Sequence, residues 1–323
     1  MIENIFIGLK DNDEITFAFQ GGEPTLAGLQ WYEDFVKTVT LNKKNIRVHY
    51  SFQTNGLLIN QSWGDFFSTH KFLVGLSVDS GSRFHDLNRV DMEHAGTYQR
   101  IMASKKLLDE CKVEYNILCV LTNELAKNTD KAWSFILREK IRYIQYIPCL
   151  EEFEVQNQQK NTLRPANFAN FYSKLLARWI EELEKGNYIS VKLFDDVVNY
   201  FYKGITTACG IDGQCHTQYV VEADGSVYPC DFFALDDYKA GNITEQTFDA
   251  FNSNPVMISF LHEKRTLPPI CGRCVYLKLC RGGCKRMQRT MYYGNDGVIC
   301  GFKIFLDKSL GRLEYAVKFF SNG

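Results

Sequence analysis

Short runs rich in β-branched and aromatic residues recur through the first half of the chain, at Ile15–Gln20, Arg47–Gln53, Leu73–Asp79, Val113–Val120 and Arg142–Ile147. Their length and composition predict strands. Between them lie segments with helical patterning: Leu29–Leu41, Ser62–Thr69, Thr97–Cys111 and Asn128–Glu139. Ile101, Leu107 and Leu108 fit one face of the third, and Thr97 stands where an N-cap belongs. Strands alternating with helices predict parallel βαβ units with right-handed crossovers, and so an α/β fold. Loops at the carboxyl ends of such strands build ligand sites. Here they are Gly21-Gly22-Glu23-Pro24, Thr54-Asn55-Gly56, Asp79-Ser80-Gly81 and Thr122-Asn123.

The pattern changes in the second half. Asn161–Gly186 reads as one long amphipathic helix with Phe168, Phe171, Leu175, Leu176 and Trp179 on its apolar side. Farther on, Tyr219–Glu222 and Ser226–Tyr228 flank Ala223-Asp224-Gly225, a hairpin signal that leads into Cys230. Short helices and loops follow, then a C-terminal helix from Phe302 to about Phe320. The expected divisions are 1–160, a connecting helical region 161–208, and 209–323.

Composition bounds the classes. With 323 residues, 45% hydrophobic and 14% aromatic, the chain can bury a large core and form two domains. A formal charge of −1 gives no global attraction to nucleic acid or an anionic membrane. No apolar run approaches the roughly 18 residues of a membrane span. Met1–Lys10 lacks a secretory n-region, so a cytoplasmic location is expected. One local asymmetry stands out: Lys264 to Arg289 holds eight Lys or Arg and no Asp or Glu. It fits a zinc-ribbon-like nucleic-acid surface, or cations that offset thiolate-ligated clusters.

Most of the candidate chemistry lies in the cysteines of the last third. Cys209, Cys215 and Cys230 precede Cys271-x2-Cys274-x5-Cys280-x3-Cys284, and Cys300 closes the series. Eight thiols suffice for two four-cysteine metal sites, and the x2 and x3 spacings let neighbouring sulfurs converge. A reducing compartment favours metal ligation over the alternative of disulfides. Cys111, Cys119 and Cys149 have no ligand spacing and read as small buried hydrophobes.

Together these motifs resemble a family. Phe19-Gln20-Gly21-Gly22-Glu23-Pro24-Thr25 is similar to the GGEP motif of radical S-adenosylmethionine (SAM) enzymes. The cysteine pattern resembles the SPASM domain, which holds two auxiliary 4Fe–4S clusters. More closely, Phe17–Ala27, Gln53-Thr54-Asn55-Gly56, Phe72–Asp79, Asn116–Val120 and Cys209–Phe232 resemble the anaerobic sulfatase-maturating enzymes. The resemblance implies oxidation of a sulfatase Cys or Ser to Cα-formylglycine by a partial (β/α) barrel of radical SAM type followed by a SPASM domain. It implies two auxiliary 4Fe–4S clusters and SAM as cofactors. The implied partners are an unfolded or nascent sulfatase polypeptide and a reducing donor such as flavodoxin or ferredoxin, with no nucleic acid and no membrane.

The resemblance carries over residue by residue. Gly22, Ser77, Arg89 and Leu150 match SAM-contacting positions. Gly21 and Gly22 let the backbone approach a ligand, and Glu23 or adjacent carbonyls can take the ammonium of SAM. Ser77 near a strand end can reach ribose hydroxyls, Arg89 can pair with the carboxylate, and Leu150 can pack near adenine. A core or turn role is the alternative for Ser77 and Leu150. Asp231 matches the proposed base, which removes a proton from the substrate S–H or O–H; the alternative is a carboxylate capping a turn. Cys209, Cys215, Cys230 and Cys284 match the ligands of the first auxiliary cluster, and Cys271, Cys274, Cys280 and Cys300 those of the second. Full cysteine ligation would leave no open iron, which suits electron transfer or structural support.

One part of the family pattern has no counterpart. Radical SAM enzymes carry CxxxCxxC ahead of GGEP, on the loop after the first barrel strand, and here no cysteine precedes Cys111. The expectation is an N-terminally incomplete chain, a truncated product or mis-called start, missing the first strand and inactive alone. A third 4Fe–4S cluster is then expected only in a full-length form. Such a barrel would expose the apolar edge of Ile15–Phe19. Two rival readings are another SPASM peptide modifier, such as one making thioether cross-links, and a zinc-stabilised binding protein.

Overall fold

A computed structural model describes residues 1–153, 159–294 and 297–321. Five strands form where the patterning predicts them: β1 (Glu14–Phe19), β2 (Arg47–Thr54), β3 (Phe72–Ser77), β4 (Glu114–Leu121) and β5 (Tyr143–Pro148). A two-residue β6 (Ser190–Val191) extends the sheet beyond β5. All neighbours pair in parallel, in the order β1-β2-β3-β4-β5-β6. Parallel neighbours need crossovers, and helices Leu29–Asn42, Gln61–Thr69, Tyr98–Glu110 and Thr129–Arg138 supply the first four. This sequential parallel order is that of a (β/α) barrel left open, since β1 and β6 do not pair.

The sheet buries an aromatic layer. Phe52, Phe67 and Phe72 are fully enclosed, with Phe52 and Phe67 rings 5.0 Å apart and Tyr50 stacked on Phe72 at 4.9 Å. Helix Pro165–Glu184 buries Phe168, Phe171, Leu175, Leu176 and Trp179, the face its periodicity predicts. It packs against the C-terminal helix Gly301–Ser321, whose Phe305 meets Phe168 and Tyr172. Phe302, Phe305, Leu306 and Leu313 therefore belong to the same core as the parallel sheet. The end of the 209–323 segment packs against the connecting helical region 161–208.

Residues before β1 fold as a short helix, Ile2–Phe6. Ile2 and Phe6 pack with Phe35, Val39 and Ile46, and Phe17 joins this group. Ile5 turns the other way, into a cluster with Val227, Ile243, Phe251 and Met257. β1 stands at the edge of the sheet, as expected, but its apolar side chains Ile15, Phe17 and Phe19 are half-buried. Thr97 corrects an expectation. It occupies the N-cap position without capping by its side chain; Asp86 Oδ1 accepts the Tyr98 N–H instead, at 2.9 Å.

The predicted hairpin forms from β7 (Val220–Val221) and β8 (Ser226–Tyr228). A third strand, β9 (Gly241–Asn242), completes a small antiparallel sheet. Its exit delivers Cys230 and Asp231.

Candidate functional site

The candidate residues of the first half gather at the carboxyl edge of the parallel sheet. After β1, Gly21 and Gly22 adopt φ of +92° and +55°. A Cβ on either would meet nothing within 4 Å, so backbone conformation requires glycine and the face of the turn stays open to a ligand. Glu23 braces the turn. Its Oε1 accepts from Thr25 N (3.1 Å), Thr25 Oγ1 (2.6 Å) and Thr54 Oγ1 (2.7 Å), and its Oε2 from Asn55 N (2.7 Å). This ties the end of β1 to that of β2, and leaves the neighbouring carbonyls as the better of the two expected ammonium acceptors. Ser77 ends β3 and Leu150 follows β5, both half-buried. Ser80, in a loop the sequence marks as a ligand site but not singled out there as a site residue, is 1% exposed, holds φ of +62°, and has a hydroxyl without a partner among the described residues.

Arg89 belongs to a closed ring of hydrogen bonds. Its Nε and Nη2 donate to the buried Asp79 carboxylate at 2.7 and 3.3 Å, and that carboxylate also accepts the Val120 N–H at 2.8 Å. The Asp79 N–H donates to His85 Nδ1 (3.1 Å), His85 Nε2 lies 3.0 Å from Thr97 Oγ1, and Thr97 Oγ1 donates to the Arg89 carbonyl (3.1 Å). Because Nδ1 accepts, His85 must be neutral with its proton on Nε2. Nη1 of Arg89 has no partner among the described residues, so one corner is open to an anion.

Burial lowers the pKa of His85 below its ordinary 6.5. The unfolded chain then binds more protons than the folded one in the window beneath 6.5. The stability His85 contributes is full above pH 6.5 and is lost as pH falls through the lowered value. The chain is expected to melt at lower temperature at pH 5.5 than at pH 7, and His85→Gln should remove the His85 part of that slope. Equal slopes for both proteins in a calorimetric pH series would refute this.

Asp231 meets the first half directly. The Gln20 side chain donates to Asp231 Oδ2 at 3.4 Å, and Gln53 Nε2 donates to Gln20 Oε1 at 2.8 Å. Asp231 Oδ1 accepts the Phe232 N–H (2.9 Å) and the Cys230 thiol (3.4 Å). Ends of β1 and β2 are thus joined to the exposed carboxylate beside Cys230. Gln20 lay inside the GGEP-like motif, but its partner is 211 residues away, a separation no local pattern reports.

The eight cysteines fall into two neighbourhoods. Cys284 raises the pKa of Cys209, Cys215 and Cys230, after the larger effect of burial. Cys271, Cys274, Cys280 and Cys300 line one cavity with Ile270, Leu277 and Tyr292. Burial pushes Cys209 up to about 11, Cys230 to about 12 and Cys300 to about 11. Alone, these sulfurs are thiols, and a bound cation is what would convert them to thiolates with proton release. The two neighbourhoods touch. At Gly213 (φ +70°) a Cβ would overlap the Cys280 carbonyl, and at Gly283 (φ +74°) the Tyr292 ring. All eleven cysteines are unbridged.

The basic segment spends much of its charge within the chain. Arg265 donates to carbonyls, Lys285 pairs with Glu263 (2.6 Å) over the Phe260 ring, and Arg286 lies over Phe153 and donates to the Glu151 carbonyl. No helix among the described residues is long and apolar enough to cross a membrane.

The SPASM family, an iron–sulfur cluster-binding domain, matches residues 209–275. A cysteine-type anaerobic sulfatase-maturating enzyme of Clostridium novyi is 39% identical over 309 residues, covering 94% of this chain and 82% of the relative. A serine-type enzyme of Klebsiella aerogenes is 28% identical over 305 residues, covering 93% and 73%. The solved structure of native anSMEcpe with bound AdoMet and Kp18Cys peptide matches with a TM-score of 0.90 at 33% identity, over 98% of this chain and 88% of that one. Streptococcus suis SuiB bound to S-adenosylmethionine, with a TM-score of 0.55 at 17% identity over 84% of this chain and 61% of its own, shares the fold alone. The chain thus belongs to the anaerobic sulfatase-maturating enzymes, a radical SAM family carrying a SPASM iron–sulfur domain.

Proposed function

We propose that this chain serves the oxidation of a Cys or Ser side chain in an unfolded sulfatase polypeptide to Cα-formylglycine, in the cytoplasm, with a donor such as flavodoxin or ferredoxin. The observation that carries the reading is the hydrogen bond from Gln20 to Asp231, which brings the Asp231 carboxylate to the residue preceding the Gly21-Gly22 turn. Identity of 39% to a cysteine-type relative against 28% to a serine-type one favours a cysteine substrate.

SAM suits the open face of Gly21-Gly22, the unpartnered Arg89 corner and the orphan Ser80 hydroxyl. Gly22, Ser77, Arg89 and Leu150 would hold it. Cys209, Cys215, Cys230 and Cys284 would hold one auxiliary 4Fe–4S cluster, and Cys271, Cys274, Cys280 and Cys300 the other. When bound, SAM and the clusters supply hydrogen-atom abstraction and electron removal. The chain's own part is to seat the substrate residue beside Asp231 and take the S–H or O–H proton at its carboxylate, while Gln20 fixes the orientation of that carboxylate. Because the 323 residues hold no CxxxCxxC, we take SAM cleavage to require such a segment in addition.

A zinc protein is the contrasting reading. Tetrahedral zinc sites take four cysteines as readily as a cluster does, and acid-labile sulfide distinguishes the two. Anaerobic reconstitution is expected to give about eight irons and eight sulfides per chain. Cys274→Ala should lower both by about half and destabilise the C-terminal domain. Bound zinc without acid-labile sulfide would remove the cluster reading, and unchanged iron in the variant would remove Cys274 from the ligands.

A further inference from the structure

We propose that Arg265 is a positioning residue shared by the two cysteine quartets, holding the loops of both and biasing the reduction potentials of both bound clusters together. The proposal rests on the cluster reading above. Arg265 Nη1 donates to the Gly283 carbonyl at 2.5 Å, and Nη2 to the carbonyls of Gly213 at 2.9 Å and Arg281 at 3.3 Å. These carbonyls flank ligand candidates of both sites: Gly213 precedes Cys215 by two residues, Arg281 follows Cys280, and Gly283 precedes Cys284.

The turn from Cys280 to Cys284 is where the chain passes from one quartet to the other. It does so through three consecutive residues with positive φ: Arg281 (+43°), Gly282 (+87°) and Gly283 (+74°). Such a turn cannot satisfy its carbonyls by regular secondary structure, so it needs outside donors. A planar guanidinium with five N–H groups can serve three carbonyls at once, whereas an ammonium cannot match that fork. Through these carbonyls the guanidinium is anchored within two residues of Cys215 in one quartet and next to Cys280 of the other, with Cys284 beyond the same turn. Negatively charged clusters at both places would feel one common cation. Removing it disfavours the reduced, more negative form of each, which moves both potentials downward.

The test uses the 323-residue chain as wild type, R265K and R265Q, reconstituted anaerobically. Wild type taking up about eight irons secures the cluster reading first; wild type without iron would sink that reading and this proposal with it. Given loaded wild type, R265Q is expected to fall under about half the wild-type iron, losing it from both sites. R265K should keep more, with both midpoints near wild type. Clusters remaining in R265Q should show both midpoints shifted to more negative values in an EPR-monitored redox titration. Full iron in R265Q, or a shift confined to one cluster, overturns the proposal. Should R265Q fail to fold, hydrogen exchange on metal-free R265K decides: faster exchange than wild type at 213–215 and 281–284 supports the shared brace, and unchanged exchange overturns it.

Discussion

Asp231→Asn is expected to lower formylglycine yield by about two to four orders of magnitude, the usual worth of a positioned general base, while SAM cleavage stays near wild type. The assay needs a polypeptide in which a CxxxCxxC segment is joined upstream of Met1. The separation of the two readouts follows from where Asp231 sits. Its carboxylate touches Cys230, Phe232 and Gln20, and none of the residues proposed to hold SAM. Asn retains the size of the side chain and can still meet Gln20 and the Phe232 amide. It cannot accept a proton near neutral pH, so only the step that removes the substrate S–H or O–H proton should fail. Mass spectrometry of a sulfatase-derived cysteine or serine peptide gives the product, with 5′-deoxyadenosine quantified alongside. Wild-type yield from the Asn variant would remove Asp231 as the base. Parallel loss of both readouts would indicate damage to the shared Gln20 bridge instead.

The first half of the fold was legible because β1 to β5 carry dense runs of β-branched and aromatic residues, and β3 and β4 bury half or more of their positions. β6 and β9 escaped for the opposite reason. Each is two residues long and exists only because a neighbouring strand offers it a ladder. Thr97 shows where local reasoning gives way to tertiary structure: its position suits a cap, but its hydroxyl is taken by Arg89 and His85. The ring through Asp79, His85, Arg89 and Thr97 is assembled by loops after β3, and only folding reveals it.

Cysteine spacing announced metal chemistry, but spacing alone did not sort the ligands. Cys284 is four residues from Cys280, yet its electrostatic neighbours are Cys209, Cys215 and Cys230. The left-handed turn at Arg281–Gly283 makes that change of partner possible, and the Gly282-Gly283 pair is its one visible sign in the sequence. The cationic segment was equally visible. Its use was not, since much of it satisfies carbonyls, Glu151 and aromatic rings within the chain.

A polypeptide of these 323 residues alone is expected to produce no 5′-deoxyadenosine from SAM, even with dithionite, and joining a CxxxCxxC segment upstream should confer the activity. Reductive cleavage in this family calls for three thiolates that leave one iron open. The eight cysteines of the last third are proposed to fill two closed sites, so only Cys111, Cys119 and Cys149 remain. They cannot substitute. Cys111 follows helix Tyr98–Glu110 and precedes β4, at the amino edge of the sheet, opposite the GGEP-like turn. Cys119 is wholly enclosed within β4, and burial holds its thiol well above the ordinary range. Cys149 follows β5 on the correct edge but stands alone there. The turn itself needs no repair, because Glu23 already braces it to β2. Chromatographic detection of 5′-deoxyadenosine from the 323-residue chain would show that a set of ligands other than CxxxCxxC can open SAM. No product from the extended chain would place the defect in the GGEP-like turn or the Arg89 ring.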